Sequence, residues 1–529
     1  MQNTPAEPPV KHIAVVGGGA AGWMTALLLS ASKFGARLKV TVLESPSAEV
    51  VGVGEGSTPW LRGLFDSLDI DEAEWMPACN ATYKCGVRFA GWCTRPGYES
   101  YFHPFPSMLD NLTMPQFLRN VHARLEGADV AAHPDRFFMS PRVAAEGRAP
   151  RPVLEFPFDI GYGYHFDAAL LGAFLRAKAL ERGVRCVVRQ LNSVTLDQRG
   201  DIRALELDGG DSLAADFFVD CSGVASLLIG KALRTPYVSF SDMLFNDAAI
   251  ALATPCDDGP LMSQTVASGL KHGWASRIPL ASFNSDVYFY SSAHVSADAA
   301  ETELRARLGL LDADVPARHS RLRAGRHAKH WNRNCVAIGL SQGFIEPLDA
   351  TTLHFVQRAA ASFVDVLERG DLGEAAQAAF NDGLNARIDG ERDYILLHYK
   401  CNTRTDTAYW RANAANGALS EPLHTLLRAW LSARPIAPDI EKGRIGTGYA
   451  TLSWYCLLAG VGLFPELDPA RAAPARDTGL EGIDDLVRRG TLNFPDHRAW
   501  LRDIPRHAAR TNLWRQPADA GRRVTLGAL

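Results

Sequence analysis

The amino-acid sequence predicts an α/β fold whose centre is a parallel β-sheet. Three observations support this fold class. A buried strand, a glycine-rich turn and a helix follow one another near the start of the chain, a second apolar strand ends on an acidic residue, and later apolar strands end on glycine. Parallel strands of this kind bring their ends to one edge of a sheet. From about Phe363 onward the apolar spacing is mainly helical.

The composition is that of a globular protein with a large core. The chain has 529 residues, of which 47% are hydrophobic and 22% charged, and its formal net charge is −4. Without a long basic run, this charge argues against nucleic acid as the main partner. No apolar stretch approaches the ~20 residues of a membrane span, and residues 1–9 lack the apolar segment of a secretory signal. We therefore expect a cytoplasmic protein without a membrane or nucleic-acid partner.

The nine cysteines are scattered and contain no C-x-x-C pair. Cys79, Cys85 and Cys93 lie close together, but their spacings of six and eight residues match no common zinc motif. We expect reduced, buried thiols and no metal site.

The first two strands carry the pattern of a dinucleotide-binding βαβ unit. His12–Val16 is β-branched and apolar, G-G-G-A-A-G follows at 17–22, and a good helix former comes next. Gly17 permits the tight turn, Gly19 lets the backbone approach a pyrophosphate, and Gly22 lets helix and strand pack closely. The free N–H groups at the helix start attract phosphate, and Glu44, at the end of the second strand, can accept hydrogen bonds from a ribose.

Later segments favour FAD as the dinucleotide. Asp167 can cap a helix that stops at Gly183, and Ile202–Leu207 alternates as a strand does. Phe217–Asp220 reads as a strand that ends at Cys-Ser-Gly, and Cys335–Ile338 reads as a strand that ends at Gly339. Such strands return to the sheet edge, where backbone can touch a long extended cofactor. No second G-x-G-x-x-G follows, so no separate NAD(P)H domain is expected. If the flavin must be reduced, another protein has to supply the electrons.

Eight motifs then follow one another along most of the chain. They are G-G-G-A-A-G-W-M (17–24), V-G-V-G-E-G-S-T-P (51–59), N-A-T-Y-K-C-G-V-R-F-A-G-W (80–92), H-P-F (103–105), Y-H-F-D-A-A (164–169), D-C-S-G (220–223), G-L-S-Q-G-F-I-E-P-L-D-A-T (339–351) and a segment from 398 to 411. In this order they resemble the flavin-dependent halogenases, usually called tryptophan halogenases. Most of the motifs are modest signals alone, whereas their shared order is specific.

The resemblance implies a FAD-binding Rossmann-like fold of the single-component flavin monooxygenase type, with an interleaved β-sheet and a mainly helical C-terminal substrate region. We expect the FAD-binding box to span residues 10–370 and the helical region that closes the substrate site to span residues 371–529. The expected cofactor-binding residues are Gly17, Gly19, Ala20, Ala21, Gly22, Glu44, Gly54, Glu55 and Gly339.

Lys84 matches the catalytic lysine of the family. There, reduced FAD, oxygen and a halide yield hypohalous acid, which travels through the protein to a lysine beside an electron-rich aromatic substrate. Because free hypohalous acid reacts indiscriminately, a fixed group must present one halogen atom to one carbon. Burial lowers a lysine pKa from ~10.4, whereas arginine stays protonated. The amine holds the halogen either as a haloamine or by hydrogen-bonding the acid.

Asp349 matches the family's second catalytic group, a glutamate in a P-L-E-S-T-like segment. We expect it to stabilise the cationic ring intermediate and to accept its proton, although it is one methylene shorter. Glu346 is the alternative carboxylate, with a structural role as its other interpretation. Thr351 and Thr352 match the positions whose backbone amides hold the halide, because amides supply partial positive charge without titrating. The second of these positions is usually smaller in the family.

His103 and Phe105 match positions that line the indole site of relatives, and Trp454 lies in the region that closes it. Phe105 can stack on an aromatic substrate, which contributes ~0.5–1.5 kcal/mol beyond area burial. A structural role stays open for His103 and Trp454. No convincing match exists to the residues that grip the amino-acid end of free tryptophan. Free indole, a phenol-like ring, a larger indole-bearing molecule and tryptophan itself therefore all remain substrates to consider.

One departure from the family signature keeps alternative functions open. G-W-x-W-x-I-P appears as G-W-A-S-R-I-P at 273–279, with Ser276 in place of the second tryptophan. A flavin monooxygenase that hydroxylates an aromatic substrate and a non-catalytic flavoprotein are the two alternatives. For the halogenase we expect FAD as FADH₂, chloride or bromide, and a separate NAD(P)H-dependent flavin reductase as a transient partner. No sequence patch fixes the oligomeric state, so a homodimer stays open.

Overall fold

Residues 10–47, 54–105, 107–153, 160–256, 258–442, 449–467 and 479–511 are described by the structure, a computed structural model. The strands are β1 (His12–Val16), β2 (Lys39–Glu44), β3 (Gly54–Gly56), β4 (Thr82–Lys84), β5 (Gly86–Ala90), β6 (Ser100–Pro104), β7 (Gly163–Asp167), β8 (Arg185–Val188), β9 (Leu191–Leu196), β10 (Ile202–Leu207), β11 (Ser212–Ala214), β12 (Phe217–Asp220), β13 (Tyr237–Ser239), β14 (Ala248–Pro255), β15 (Thr265–Gly269), β16 (Gly273–Pro279), β17 (Phe283–Tyr290), β18 (Arg318–Arg321), β19 (Gly325–His327), β20 (Trp331–Asn332), β21 (Cys335–Ala337) and β22 (Gly343–Phe344). The helices are α1 (Ala20–Ala31), α2 (Trp60–Ser67), α3 (Glu72–Ala78), α4 (Met114–Leu125), α5 (Ser140–Ala145), α6 (Ala168–Glu181), α7 (Ala297–Leu308), α8 (Thr352–Arg369), α9 (Glu374–Lys400), α10 (Ala408–Ala415), α11 (Glu421–Leu431), α12 (Ala437–Glu441), α13 (Thr451–Gly460), α14 (Leu480–Thr491) and α15 (His497–Thr511).

The βαβ unit lies at the centre of a six-stranded sheet with the order β20-β21-β12-β1-β2-β8. All pairings are parallel except that of the short β20 with β21. Because β1, β12 and β21 are neighbours, the turns that follow them meet at one edge of the sheet. This confirms the predicted fold class. Ile13 and Val15 pack with α1, α6 and α8 on one face, and Ala14 and Val16 pack with β9 and β10 on the other.

A seven-stranded mixed sheet with the order β18-β14-β17-β16-β15-β5-β6 forms the second layer of the molecule. The variant signature at 273–279 is β16 from end to end. Trp274 on this strand is fully buried and shares a core with C-terminal helix residues such as Tyr399, Trp410 and Trp454. The C-terminal helices therefore cover this sheet.

A small antiparallel sheet with the order β3-β7-β4 brings distant motifs together. Gly56 of the second motif pairs with His165, and Lys84 of the third pairs with Gly163. The sheet holds Lys84 beside the segment that carries Gly54 and Glu55. Motifs separated by about a hundred residues therefore lie at one place.

Several local predictions are confirmed. β10 and β12 have the predicted bounds, and α6 begins where Asp167 Oδ1 accepts hydrogen bonds from the amides of Ala169 and Leu170. After β22 the described residues form helices, as expected for the C-terminal region. The domain division at 370 stays a prediction. α9 contributes Phe380 to the core of the six-stranded sheet and Ile395 to the core of the seven-stranded one.

Within the described part of the chain, no helix is both long and apolar enough to cross a membrane. Cys79, Cys85 and Cys93 are buried free thiols. In the same residues, no three histidine, cysteine, aspartate or glutamate side chains group as metal ligands would.

Candidate functional site

The glycine-rich turn between β1 and α1 leaves an open cradle at the helix start. Gly17 has φ +122°, and a Cβ there would lie 2.1 Å from the Cys221 carbonyl oxygen. A Cβ on Gly22 would lie 1.9 Å from the Gly17 carbonyl oxygen. At Gly19, by contrast, a Cβ would meet nothing within 4 Å. The first and third glycines are thus required by packing, whereas Gly19 faces free space at the N–H groups that would hold a pyrophosphate.

Glu44 lies at the carboxyl end of β2, directly beside this cradle. A Cβ on Gly18 would lie 2.3 Å from Glu44 Cγ, so the two residues are in contact. Glu44 Oε1 accepts a 2.7 Å hydrogen bond from Trp23 Nε1, and Arg176 Nε lies 3.4 Å from Oε2. These two neighbours orient the carboxylate that we predict to contact a ribose.

Gly339, which follows β21, lies beside the glycine-rich cradle at the start of α1. Its φ is +80°, and a Cβ on it would lie 2.9 Å from the Cβ of Ala21. The strand end after β21 therefore touches the first turn of α1, next to Ala20. The sequence-predicted cofactor residues from three separate motifs share one edge of the sheet.

Gly54 and Glu55 form β3, while residues 51–53 of their motif lie outside the described residues. A Cβ on Gly54 would lie 2.6 Å from Ser285 Cβ, which places β3 against the seven-stranded sheet. Burial raises the pKa of the Glu55 carboxyl to about 7. β3 thus runs from the second sheet toward Lys84.

Lys84 presents a fully buried amine. The side chain is 0% exposed, and Nζ has no hydrogen-bond partner among the described residues. Burial lowers the pKa of Lys84 to about 8, and the nearby Asp349 carboxylate opposes this shift. Nζ lies 5.0 Å from the ring centroid of Phe105. A buried amine beside an aromatic ring and a carboxylate has the features of a reactive lysine.

The segment from Pro347 to Thr351 brings Asp349 to this amine. Ala350 adopts φ +60°, a left-handed conformation that costs a β-carbon residue roughly 1–2 kcal/mol. A Cβ on Gly56 would lie 3.0 Å from Ala350 Cβ and 3.5 Å from Lys84 Nζ, which locates this turn next to the amine. The carboxylate of Asp349 is 3% exposed, with Oδ2 2.9 Å from His103 Nδ1.

Glu346 is held in place by three hydrogen bonds to one oxygen. Its Oε2 accepts from Asn246 Nδ2 at 2.8 Å, from Trp274 Nε1 at 2.7 Å and from the Tyr399 hydroxyl at 2.7 Å. Burial raises the pKa of this carboxyl. The three donors come from a loop, β16 and α9. This arrangement suits a carboxylate that anchors the segment from 346 to 351, and Asp349 is the carboxylate of this segment that acts on the pKa of Lys84.

Thr351 and Thr352 line a small pocket of about 40 Å³ together with Gly339 and Gln342. Thr352 begins α8, so the first backbone N–H groups of an 18-residue helix have no intrahelical partner. The pocket therefore lies between the backbone amides that are predicted to bind the halide and Gly339, which is a predicted cofactor-binding residue. One short segment thus places Asp349 beside Lys84 and places Thr351 and Thr352 in this pocket.

An aromatic wall surrounds the Asp349 carboxylate. The His103 and Tyr394 ring centroids lie 6.0 Å apart, Tyr394 stacks on Tyr449 at 3.6 Å, and Tyr394 meets Trp454 edge-on at 5.0 Å. His103 Nε2, Trp454 Nε1 and Asp349 Oδ1 have no hydrogen-bond partner among the described residues. Unpartnered polar atoms among stacked rings are what a polar aromatic substrate would satisfy.

Four residues of this region are missing from the sequence predictions: Gln342, Glu391, Tyr394 and Tyr449. Glu391 lies within the buried part of α9 and is 2% exposed, and burial raises the pKa of its carboxyl to about 8. Glu391 lies among the charged residues Asp389, Arg392 and Asp393, so no sequence signal separates it from a surface acid. The two tyrosines carry no signal that separates them from ordinary core aromatics.

The described residues fit an FAD-type cofactor. The open space at Gly19, the uncapped start of α1 and the touching strand ends supply backbone donors and room for a pyrophosphate. The carboxylate of Glu44 stands at the position from which a ribose is usually bound.

The tryptophan halogenase family model matches residues 12–476 of this chain. A tryptophan 6-halogenase of Streptomyces toxytricini, SttH, is 36% identical over 492 residues, which is 88% of this chain and 92% of that protein. Among solved structures, the tryptophan C-6 flavin-dependent halogenase Tar14 from taromycin biosynthesis has a TM-score of 0.83 and 33% identity, with 93% of this chain and 99% of that chain covered. BrvH, a flavin-dependent halogenase from Brevundimonas sp. BAL3, has a TM-score of 0.79 and 30% identity, with 93% and 99% covered.

These matches run through the glycine-rich turn, the Lys84 strand, the Asp349 segment and the helical wall, so they cover every part of the site described above. The predicted resemblance is confirmed. The chain belongs to the tryptophan halogenase family and is a flavin-dependent halogenase.

Proposed function

We propose that Lys84 delivers an electrophilic halogen to an aromatic ring held beside Asp349. The observation that carries this proposal is a fully buried Nζ, without a hydrogen-bond partner among the described residues, next to a carboxylate and Phe105. Reduced FAD, when bound, activates oxygen so that a halide ion is oxidised to hypohalous acid. The open backbone at Gly19 and the turn at Gly339 would hold this cofactor, and the carboxylate of Glu44 would bind its ribose.

Lys84 fixes the halogen in one of two ways. With its pKa lowered to about 8, a sizeable fraction of the amine is neutral near pH 8 and can displace hydroxide from hypohalous acid to form an N–halogen bond. The protonated form can instead donate a hydrogen bond to the acid. In both cases the halogen is fixed beside the substrate ring, which attacks it.

Asp349 acts on the ring after attack. Its carboxylate stabilises the positive charge that develops on the ring and then accepts the proton from the halogenated carbon. The 2.9 Å contact with His103 Nδ1 holds the shorter aspartate side chain in place. Phe105 and Trp454 complete the ring-binding surface.

The substrate that we propose is an indole-bearing molecule. Tryptophan is the substrate in the names of SttH and Tar14. The wall here consists of aromatic rings around the Asp349 carboxylate, and this acidic group disfavours the carboxylate of a free amino acid. Free indole or a larger indole-bearing compound therefore fits better than free tryptophan. Chloride or bromide is the halide, and a separate NAD(P)H-dependent flavin reductase supplies FADH₂.

A substrate panel tests this function. Purified protein with a flavin reductase, NADH, catalase and either bromide or chloride is offered indoles, phenols and tryptophan, and the products are read by isotope pattern in mass spectrometry. We expect halogenated indoles, with Lys84→Ala and Asp349→Asn reducing turnover by at least about 100-fold. Both variants should keep bound FAD.

Two outcomes would contradict the proposal. Halogenation by Lys84→Ala at a rate similar to wild type would remove the role of the amine. A gain of one oxygen atom without halogen would instead favour a monooxygenase, the alternative that the buried Ser276 on β16 motivates.

A further inference from the structure

Thr351 holds the N-cap position of α8 but does not cap the helix. No hydrogen bond runs from its side chain to the first helical amides, and its backbone lies at φ −89° and ψ −10° instead of the extended region of ordinary N-caps. Threonine is a good N-cap residue, so its failure to cap needs a cause. No acidic residue lies in the first turn of α8 either.

The cause is Glu391 on the neighbouring helix α9. The Thr351 hydroxyl donates a short hydrogen bond to Glu391 Oε1, and the same oxygen accepts a 2.8 Å hydrogen bond from the Tyr449 hydroxyl. Both Glu391 and Thr351 are buried. The acceptor on α9 thus draws the threonine hydroxyl away from the amides of its own helix.

A second donor points to a ligand at the amides that remain free. Gln342 lines the same pocket as Thr351 and Thr352, is 3% exposed, and has no hydrogen-bond partner for Nε2 among the described residues. Its Oε1 accepts a hydrogen bond from the Gly339 amide, which fixes the side chain. A buried N–H donor beside uncapped helix amides forms a site for an anion.

We propose that Glu391 is a positioning residue that keeps the N-terminus of α8 uncapped, so that its amides stay available to the halide. The inference rests on the proposed function, because the halide is the anion used by that reaction. The Glu391 carboxyl acts through Thr351 and touches neither halide nor substrate. Without an acceptor at position 391, Thr351 becomes free to relax to the extended backbone of an ordinary N-cap, from which its hydroxyl competes with the anion for the helix amides.

Three variants test the proposal. Glu391→Met removes the acceptor while keeping most of the side-chain volume, and Glu391→Gln keeps an acceptor oxygen. Thr351→Val removes the hydroxyl but not the backbone amide. We expect Glu391→Met to raise the halide KM about fivefold, the factor that corresponds to a cap of about 1 kcal/mol, with kcat at saturating halide within about twofold of wild type. Glu391→Gln should restore the wild-type KM.

The decisive comparison is the double variant. In the Thr351→Val background no hydroxyl is left to cap the helix, so adding Glu391→Met should no longer raise the halide KM. Asp393→Asn is the control, because Asp393 is a buried carboxyl on the same helix that contacts Arg392 and Ser420 instead of Thr351. It should leave the halide KM unchanged.

A second readout does not depend on turnover. The melting temperature of the FAD-loaded protein is measured against bromide concentration at constant ionic strength, and the half-saturating bromide should shift in parallel with KM. The proposal is overturned if Glu391→Met leaves the halide KM and the half-saturating bromide concentration unchanged. It is also overturned if Glu391→Met raises these two quantities as much in the Thr351→Val background as in the wild-type protein. Absence of halogenation by the wild-type protein would refute the proposed function, while the melting titration would still decide the role of Glu391.

Discussion

At position 84 the chain buries an amine that an ordinary core would exclude. Lysine is almost never fully buried unless it is paired, and here Nζ lacks a hydrogen-bond partner among the described residues. The Asp349 carboxylate compensates only part of the desolvation, so the pKa of Lys84 stays lowered to about 8. The buried amine therefore destabilises the folded state in return for reactivity.

Replacing Lys84 by Met should consequently stabilise the protein. Below pH 8 the folded protein must hold a desolvated ammonium, and a shift from 10.5 to about 8 corresponds to about 3 kcal/mol. Because the folded pKa is depressed, this penalty is present in full below pH 8 and disappears as the pH rises toward 10.5. We expect Lys84→Met to raise the free energy of unfolding at pH 7 by up to this amount, and the gain to shrink by pH 10, as measured by denaturant unfolding. A gain independent of pH would show that packing is the cause.

At the residue scale, the catalytic role of Asp349 stays a prediction, and its position beside Lys84 is what supports it. The alignment of the P-L-D segment selects Asp349, and the structure places it beside Lys84 while three donors hold Glu346 elsewhere. A shift of the sequence register by three residues would have exchanged the two roles. Only the tertiary contacts explain why both acids are present.

At the scale of elements, the turn before α1 shows that two glycines of the G-x-G-x-x-G motif are needed for different reasons, one for the fold and one for the ligand. Gly17 is needed because a Cβ would collide with the Cys221 carbonyl and because its φ is +122°. Gly19 adopts φ −80°, which any residue accepts, and has open space around it. The first glycine therefore serves the fold, and the second serves the ligand.

Alanine substitutions at these two glycines should give opposite results. Gly19→Ala is expected to leave the stability of the FAD-free protein within about 1 kcal/mol of wild type and to weaken FAD binding about tenfold, since a methyl group occupies the space for the phosphates. Gly17→Ala should cost at least about 2 kcal/mol of stability. Thermal unfolding and fluorescence titration with FAD measure the two effects. Equal loss of stability in both variants would contradict this division.

Across the whole molecule, Glu346 connects layers that are far apart in the chain. It lies 72 residues after Trp274 on β16 and 53 before Tyr399 on α9, and its Oε2 accepts a hydrogen bond from each of these side chains. The segment that carries Asp349 is thereby fixed to the seven-stranded sheet and to the helical wall at once. Activity should depend on this connection more than on the stability of either layer.

Trp274→Phe tests the connection. Removing the indole N–H takes away one of the three donors to the buried Glu346 carboxylate, so we expect a loss of about 1–3 kcal/mol in stability together with a clear fall in kcat. Trp410→Phe is the matched control, because Trp410 Nε1 donates to the Leu270 carbonyl, outside the catalytic segment. It should lose comparable stability and keep kcat. Unfolding curves and steady-state halogenation rates distinguish the two, and a similar kcat for both would refute the role of the connection.

The sequence by itself determined the parts that depend on local backbone chemistry. The βαβ unit, the strand ends on glycine, the Asp167 cap and the collinear motifs are each legible within a few residues, because turns and caps restrict residue type at fixed spacing. Through the resemblance, the same motifs predicted Lys84 and Asp349 as the catalytic pair. The motifs did not show which side chains surround Lys84 and Asp349.

Only the tertiary structure decided how the site is supported. Glu391 accepts a hydrogen bond from Thr351, which lies 40 residues earlier in the chain. Gln342 lines the small pocket that Thr351 also lines. Tyr394 of α9 stacks on Tyr449, which lies just before α13. Nothing local marks such contacts, since a buried acid or a core tyrosine has the same spacing wherever its partner lies. The physical reason is that hydrogen bonds and packing between elements depend on how the elements meet in space, which no single stretch of the chain encodes.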